Sequence, residues 1–268
     1  MIDILRRNNV HVIGQGQTFI VFAHGFGCDQ NVWQSLTDAF KDDYKLVLFD
    51  YVGAGLSDLT TYNVERYSML NGYAQDVIEI CDSLQIRDAI FVGHSVSSMI
   101  GVIAANERPE LFYKLVFLGP SPRYLNDVNY IGGFSESDLE ELFEVMDNNY
   151  LGWSQAMAPA IMANPDQPEL GEQLTNSFCA TDPEIAKRFA RVTFRSDNRA
   201  DLHKLKTPSL TLQCREDIIA PLSVGEYIHK HAPLNEMVIL EATGHCSHMS
   251  APEETIKAIK DFIADKKS

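Results

Sequence analysis

The 268-residue sequence is short of basic side chains: 22 Lys and Arg against 37 Asp and Glu leave a formal net charge of −15. That balance argues against a nucleic acid or an anionic membrane as partner, since both require basic patches. No apolar run is long enough to span a bilayer, and no signal-peptide-like apolar stretch opens the chain, so a cytoplasmic location is expected. There is no C-x-x-C or C-x-x-H pair. The five cysteines (Cys28, Cys81, Cys179, Cys214, Cys246) are scattered and odd in number, which speaks against structural zinc and for reduced thiols packed as small hydrophobes. Internal repeats and low-complexity segments are absent. The loop Gly53-Ala54-Gly55 lacks the third glycine of a phosphate-binding turn, and no helix starts directly after it, so a nucleotide site is rejected.

What is present is an apolar content of 45%, enough for a large core, in a length that suits one α/β domain with an insertion or two small domains. An edge hairpin is expected at residues 1–16. The continuous apolar run Thr18–Ala23 reads as a buried strand, followed by His24-Gly25-Phe26-Gly27 and a helix from Asn31 to Phe40. A strand at Lys45–Asp50, a helix at Ser68–Leu84, and strands at Ala89–Val92 and Leu115–Leu118 continue the alternation that implies a mainly parallel sheet covered on both faces. From Gly119-Pro120-Ser121-Pro122 the rhythm changes to helices alone: Glu136–Asn149, Leu151–Met162, Glu169–Cys179 and Pro183–Ser196. The sheet resumes at Pro208–Cys214, followed by a helix at Ser223–His231, a strand at Met237–Leu240 and a last helix at Glu253–Asp265. The expected organisation is a core of residues 1–120 and 207–268 with a helical lid, 121–206, inserted into a single domain.

The chemistry concentrates at Gly93-His94-Ser95-Val96-Ser97. An apolar strand, a tight turn bearing a serine and a buried-type helix form the context of a nucleophile elbow, although Ser97 stands where a second glycine is usual and Gly93 is expected to allow the bend. Such a serine needs a base and a group that orients the base, in the order Ser, acid, His, each after a strand. The loop after Leu210–Cys214 offers Glu216 and Asp217; the loop after Met237–Leu240 offers His245 and His248. The backbone N–H groups of Val96 and Phe26 are the expected oxyanion donors. His24, His94 and Asp50 read as structural, and the site calls for no metal or cofactor.

The motifs Gly25-Phe26-Gly27-Cys28-Asp29-Gln30, Gly93-His94-Ser95-Val96, Ser121-Pro122-Arg123-Tyr124-Leu125-Asn126-Asp127, Asp217-Ile218-Ile219-Ala220-Pro221 and Gly244-His245-Cys246-Ser247-His248 together resemble the RsbQ-like α/β-hydrolases. These are bacterial stress-response regulators related to the plant karrikin and strigolactone receptors. Ser97 matches the plant members; His24 departs from the proline of the bacterial ones. The resemblance covers nearly the whole chain. It implies an α/β-hydrolase fold with a four-helix lid, and a catalytic triad of Ser95, Asp217 and His245. It further implies an apolar pocket of Phe26, Tyr124, Phe134, Leu139, Leu142, Trp153, Met157, Phe194 and Ile219. The implied activity is carboxylesterase-like cleavage of a small hydrophobic ester or lactone. The implied partner is a PAS-domain phosphatase of the stress response.

Overall fold

The computed structural model describes residues 3–264. Its elements in chain order are α1 (Ile4–Arg7), β1 (His11–Ile13), β2 (Thr18–Ala23), α2 (Gln34–Phe40), β3 (Tyr44–Leu48), α3 (Leu70–Ser83), β4 (Ala89–His94), α4 (Val96–Glu107) and β5 (Phe112–Leu118). Four helices follow, α5 (Glu136–Asn148), α6 (Tyr150–Met162), α7 (Pro168–Ala180) and α8 (Pro183–Phe194). The chain ends with α9 (Arg199–Leu202), β6 (Ser209–Glu216), α10 (Leu222–His231), β7 (Asn235–Thr243), α11 (Ser247–Ser250) and α12 (Pro252–Ala264).

Seven strands form one sheet in the order β1-β3-β2-β4-β5-β6-β7 among the described residues. Every neighbouring pair is parallel except β1 with β3. Strand alternation sends Ile20, Phe22, Ile90 and Val92 into a core on one face, with α2 and α12. It sends Val21, Ala23, Ala89 and Phe91 into a second core on the other face, with α3 and α4. Both faces are thus covered, as the apolar runs of β2 and β4 require. Each large side chain fully removed from water contributes roughly 2 kcal/mol, and β4 is buried along its whole length. Parallel pairing has a consequence for function: the loops after β2, β4, β6 and β7 all emerge at the same edge of the sheet.

Two expectations are corrected. Residues 4–7 are helical, not the first strand of a hairpin, because the Asp3 carboxylate accepts from the Leu5 and Arg6 N–H groups. Arg7 is then drawn into a buried ion pair with Asp76 and one with Glu79; Ile2 lies outside the described residues. The helix expected from Asn31 to Phe40 is broken into a 3₁₀ turn, Gln30–Trp33, capped by Asp29, before α2 begins. The short α9 and α11 were not anticipated. The last helix is α12, and Asp265 falls outside the described residues. The four helices expected between β5 and β6 are all present within two residues of their expected ends.

Candidate active site

Ser95 links β4 to α4 with φ 56° and ψ −125°, a backbone conformation that costs a non-glycine residue roughly 1–3 kcal/mol. The surroundings over-determine it. Its N–H donates to the Leu118 carbonyl on β5 at 2.8 Å, and its carbonyl accepts from the Ser98 N–H at 3.0 Å. The sharp bend therefore sits on Ser95, not on Gly93 as expected from sequence. Gly93 is needed for a different reason: a Cβ there would lie 2.7 Å from the Ser97 carbonyl oxygen, so only glycine lets the first turn of α4 pack down on β4.

Asp217 follows β6. Its Oδ1 accepts from the Ile219 N–H at 2.8 Å and the Ala220 N–H at 3.1 Å. Its Oδ2 accepts from His245 Nδ1 at 2.7 Å. His245 follows β7, and its Nε2 accepts from the Ser95 hydroxyl at 2.8 Å. The structure therefore joins the three residues into one continuous hydrogen-bonded chain, sequestered from water, with side-chain exposure of 6% for His245 and 0% for Asp217. Of the alternatives, Glu216 is exposed. His248 is buried between Trp33 and His94, with neither ring nitrogen partnered among the described residues. Burial pushes its pKa down to about 3, so it stays neutral. His94 bonds through Nε2 to the His245 carbonyl at 3.0 Å. His24 donates through Nδ1 to the Gly25 carbonyl at 2.9 Å and accepts from the Tyr51 N–H at 3.3 Å. Asp50 ties the Gln30 and Leu56 N–H groups and the Asn9 side chain. All three hold loops in place.

The Phe26 loop lies tight against the elbow, since a Cβ on Gly25 would be 3.2 Å from Ser95 Cβ. Val96 opens α4, so its N–H has no preceding turn to bond. Ser97 clamps the two together: its hydroxyl donates to the His24 carbonyl at 2.5 Å and meets the Tyr51 hydroxyl at 3.0 Å. The residue that stands where a second glycine is usual is thus a cross-link.

Above Ser95 is a cavity of about 50 Å³. Of the expected lining, Phe26, Tyr124, Phe134, Leu142, Trp153, Met157, Phe194 and Ile219 are there. Leu139 is the exception: three residues before Leu142 on α5, it is fully buried in the hydrophobic core. Cys28, Cys246, Ile161, Leu174, Phe178 and Thr193 line the cavity unforeseen; only their nearness in sequence to Phe26, His245 and Phe194 hinted at some of them. The Tyr124 hydroxyl stands 3.4 Å from Ser95 Oγ. A larger open groove of about 550 Å³ between α6 and α7 contains none of the three hydrogen-bonded residues, so it offers no nucleophile and base.

The sequence model of the alpha/beta hydrolase family matches residues 20–258. The chain belongs to the alpha/beta hydrolase family. This family member is 40% identical to the karrikin insensitive 2 receptor CA of Petunia hybrida over 257 residues, 96% of this chain and 95% of the relative. It is 38% identical to the strigolactone esterase of Arabidopsis thaliana over 259 residues, 96% of this chain and 97% of the relative. Among solved structures, a hydrolase from Oleispira antarctica superimposes with a TM-score of 0.96 at 40% identity, covering 98% of this chain and 97% of that one.

The alpha/beta hydrolase fold thus places a serine, an imidazole and a carboxylate at one sheet edge, under a mostly apolar roof contributed by α5–α8. Two thiols share the cavity. Burial pushes Cys28 up to about 12 and Cys246 well above its ordinary value, so both stay protonated. Among the described residues no cluster of His, Cys, Asp and Glu is arranged to hold a metal ion, and no helix is long and apolar enough to cross a membrane.

Proposed function

We propose that this protein is a serine esterase that cleaves a small hydrophobic ester or lactone through an acyl-enzyme. The observation that carries this reading is the unbroken Asp217–His245–Ser95 chain, at 2.7 and 2.8 Å, beneath an apolar cavity. Ser95 Oγ attacks the carbonyl carbon as its proton passes to His245 Nε2. Asp217, fixed by two backbone N–H groups, keeps the Nδ1 proton in place and stabilises the imidazolium that forms. The N–H groups of Val96 and Phe26 receive the negative charge on the carbonyl oxygen. The imidazolium returns its proton to the leaving alcohol. Water then attacks the acyl carbon, giving a proton to His245 Nε2, which passes it to Ser95 Oγ as the acid leaves. The cavity's hydrocarbon and aromatic walls select a small, largely apolar substrate. In this reading residues 1–120 and 207–268 form the catalytic core, and 121–206 a lid inserted into the same domain.

Replacing Ser95 with Ala is expected to lower kcat on a short 4-nitrophenyl ester by roughly 10⁴-fold or more. Retained turnover in the variant would remove Ser95 from the mechanism.

A second reading uses the same site. The 38–40% identity to plant receptors and esterases over nearly the full length of each chain favours a ligand-responsive regulator in which hydrolysis is slow and serves signalling. An RsbQ-like role, with a PAS-domain phosphatase as partner, rests on the sequence motifs. Recovery of such a phosphatase with the protein from its host tests it; none recovered counts against it.

A further inference from the structure

The hydroxyl of Thr193 carries an inference that rests on the proposed binding of a small ester or lactone in this cavity and specifies that ligand further. Thr193 lies on α8, lines the cavity and is 1% exposed, yet its Oγ1 has no hydrogen-bond partner among the described residues. A buried, unsatisfied hydroxyl is costly, and a threonine inside a helix has a ready remedy in the carbonyl one turn back. Other hydroxyls of the inserted helices do find partners: Ser154 bonds the Tyr150 carbonyl, Thr175 the Gly171 carbonyl, and Ser177 the Gly27 carbonyl. Thr193 alone of these four has no partner, and the residue lines the cavity. The other unpaired polar atom of the lining, His94 Nδ1, is covered by Gly25, where a Cβ would stand 2.6 Å away.

The polar groups of the cavity therefore fall into two sets. Ser95, His245 and the Tyr124 hydroxyl cluster where bonds are made and broken. Thr193 belongs to the inserted helices, on α8. We propose that Thr193 is a specificity-determining residue whose hydroxyl donates a hydrogen bond to a second oxygen of the ligand, an ether or carbonyl oxygen separate from the scissile group. The preferred ligand is accordingly a small oxygenated ester or lactone rather than a plain hydrocarbon one. A site holding a buried donor rejects an analogue that leaves the donor empty.

The test measures binding to the Ser95→Ala protein, so it does not depend on turnover. Dissociation constants are obtained by calorimetry for two matched pairs. The first varies the acyl arm (4-nitrophenyl butyrate and 4-nitrophenyl methoxyacetate); the second varies the alcohol arm (3-ethylphenyl acetate and 3-methoxyphenyl acetate). Adding Thr193→Val, which keeps the shape and removes the donor, is expected to weaken the polar member of at least one pair by roughly fivefold or more relative to its hydrocarbon partner. Thr193→Ser should retain the preference. The proposal is overturned by a relative shift below fivefold in both pairs, by Thr193→Ser losing as much as Thr193→Val, or by no binding of any of the four. Should the wild type fail to hydrolyse 4-nitrophenyl butyrate, the esterase reading fails separately, and the binding ratios still decide Thr193.

Discussion

The two walls of the cavity are held in different ways. On the sheet side, Ser95, Asp217 and His245 stand at the ends of β4, β6 and β7, and each is fixed by hydrogen bonds from the backbone around it. On the inserted side, the wall is made of rings. Trp153 stacks on Phe178 at 5.7 Å, and Phe26 meets Phe178 and Phe194 edge-on at 5.7 and 6.4 Å. Hydrogen bonds fix a position to tenths of an ångström; ring contacts are worth about 1 kcal/mol each and tolerate rotation. Under the proposed function this is a division of labour: the sheet edge would set which bond is broken, and the insertion what is admitted.

The sharpest way to break that division is Asp217→Asn. The side-chain oxygen of Asn would still accept from the Ile219 and Ala220 N–H groups, which leaves its NH₂ facing His245 Nδ1. The imidazole must then carry its proton on Nε2, where it cannot accept from Ser95. We expect kcat to fall by roughly 10⁴-fold while the fold is kept, checked by steady-state kinetics alongside a thermal melt. Leu142→Ala on the opposite wall should act chiefly on KM. Similar kcat losses in both variants would erase the distinction.

That distinction also explains what could be read in advance. The sheet-side residues are tied to strand ends, and apolar runs such as Thr18–Ala23 and Ala89–Val92 mark strand ends openly, so the loops carrying Ser95, Asp217 and His245 could be located from local pattern. The helical spacing and prolines of α5–α8 made those elements legible too. What the pattern could not hold was anything decided across the chain. Residues 4–7 look like a short strand, but Arg7 is anchored by Asp76 and Glu79 on α3, far along the sequence. Leu139 and Leu142 are indistinguishable as apolar positions of one amphipathic helix, yet only Leu142 reaches the cavity. Nothing local to Ser97 announced its bond to the His24 carbonyl.

A second, smaller effect separates the two regions by pH. No histidine occurs between His94 and His203, so the inserted helices α5–α8 have none, whereas His24, His94, His245 and His248 are all buried on the sheet side. Burial among neighbouring imidazoles holds His94 well below 6.5 and His248 at about 3. In the unfolded chain both titrate near 6.5. Above that pH neither state is protonated and stability is unaffected. Below it the unfolded chain takes up protons that the native state refuses, so stability drains away between about pH 6.5 and 3, at one to two kcal/mol per pH unit per histidine. His248→Phe keeps an aromatic ring against Trp33 and removes one of the two. Plotting Tm against pH should show a clearly shallower decline for this variant between pH 6 and 4, with little change at pH 7.5. An unaltered decline would place the acid sensitivity elsewhere.

The smallest expected effect lies at the seam where the two regions share backbone hydrogen bonds. The carbonyls at the end of α6 are taken up by the His245 loop: Ile161 accepts from the His245 N–H at 2.9 Å, and Ala163 from the Thr243 hydroxyl at 3.3 Å. Ala163 achieves this in the left-handed conformation, φ 53° and ψ 34°, which costs a residue with a Cβ about 1–2 kcal/mol and glycine almost nothing. Part of that gain is offset by the greater freedom of glycine in the unfolded chain. Ala163→Gly should therefore stabilise by about 1 kcal/mol, a rise in Tm of roughly 2–4 °C for a chain of this size. No side-chain contact to the site is lost, so kcat should stay within about twofold. A higher Tm with unchanged kcat would mean that the insertion can be tightened without disturbing the triad. A higher Tm with a lower kcat would show that His245 needs the give that this strained turn supplies, and the two walls would then have to be treated as one mechanical unit.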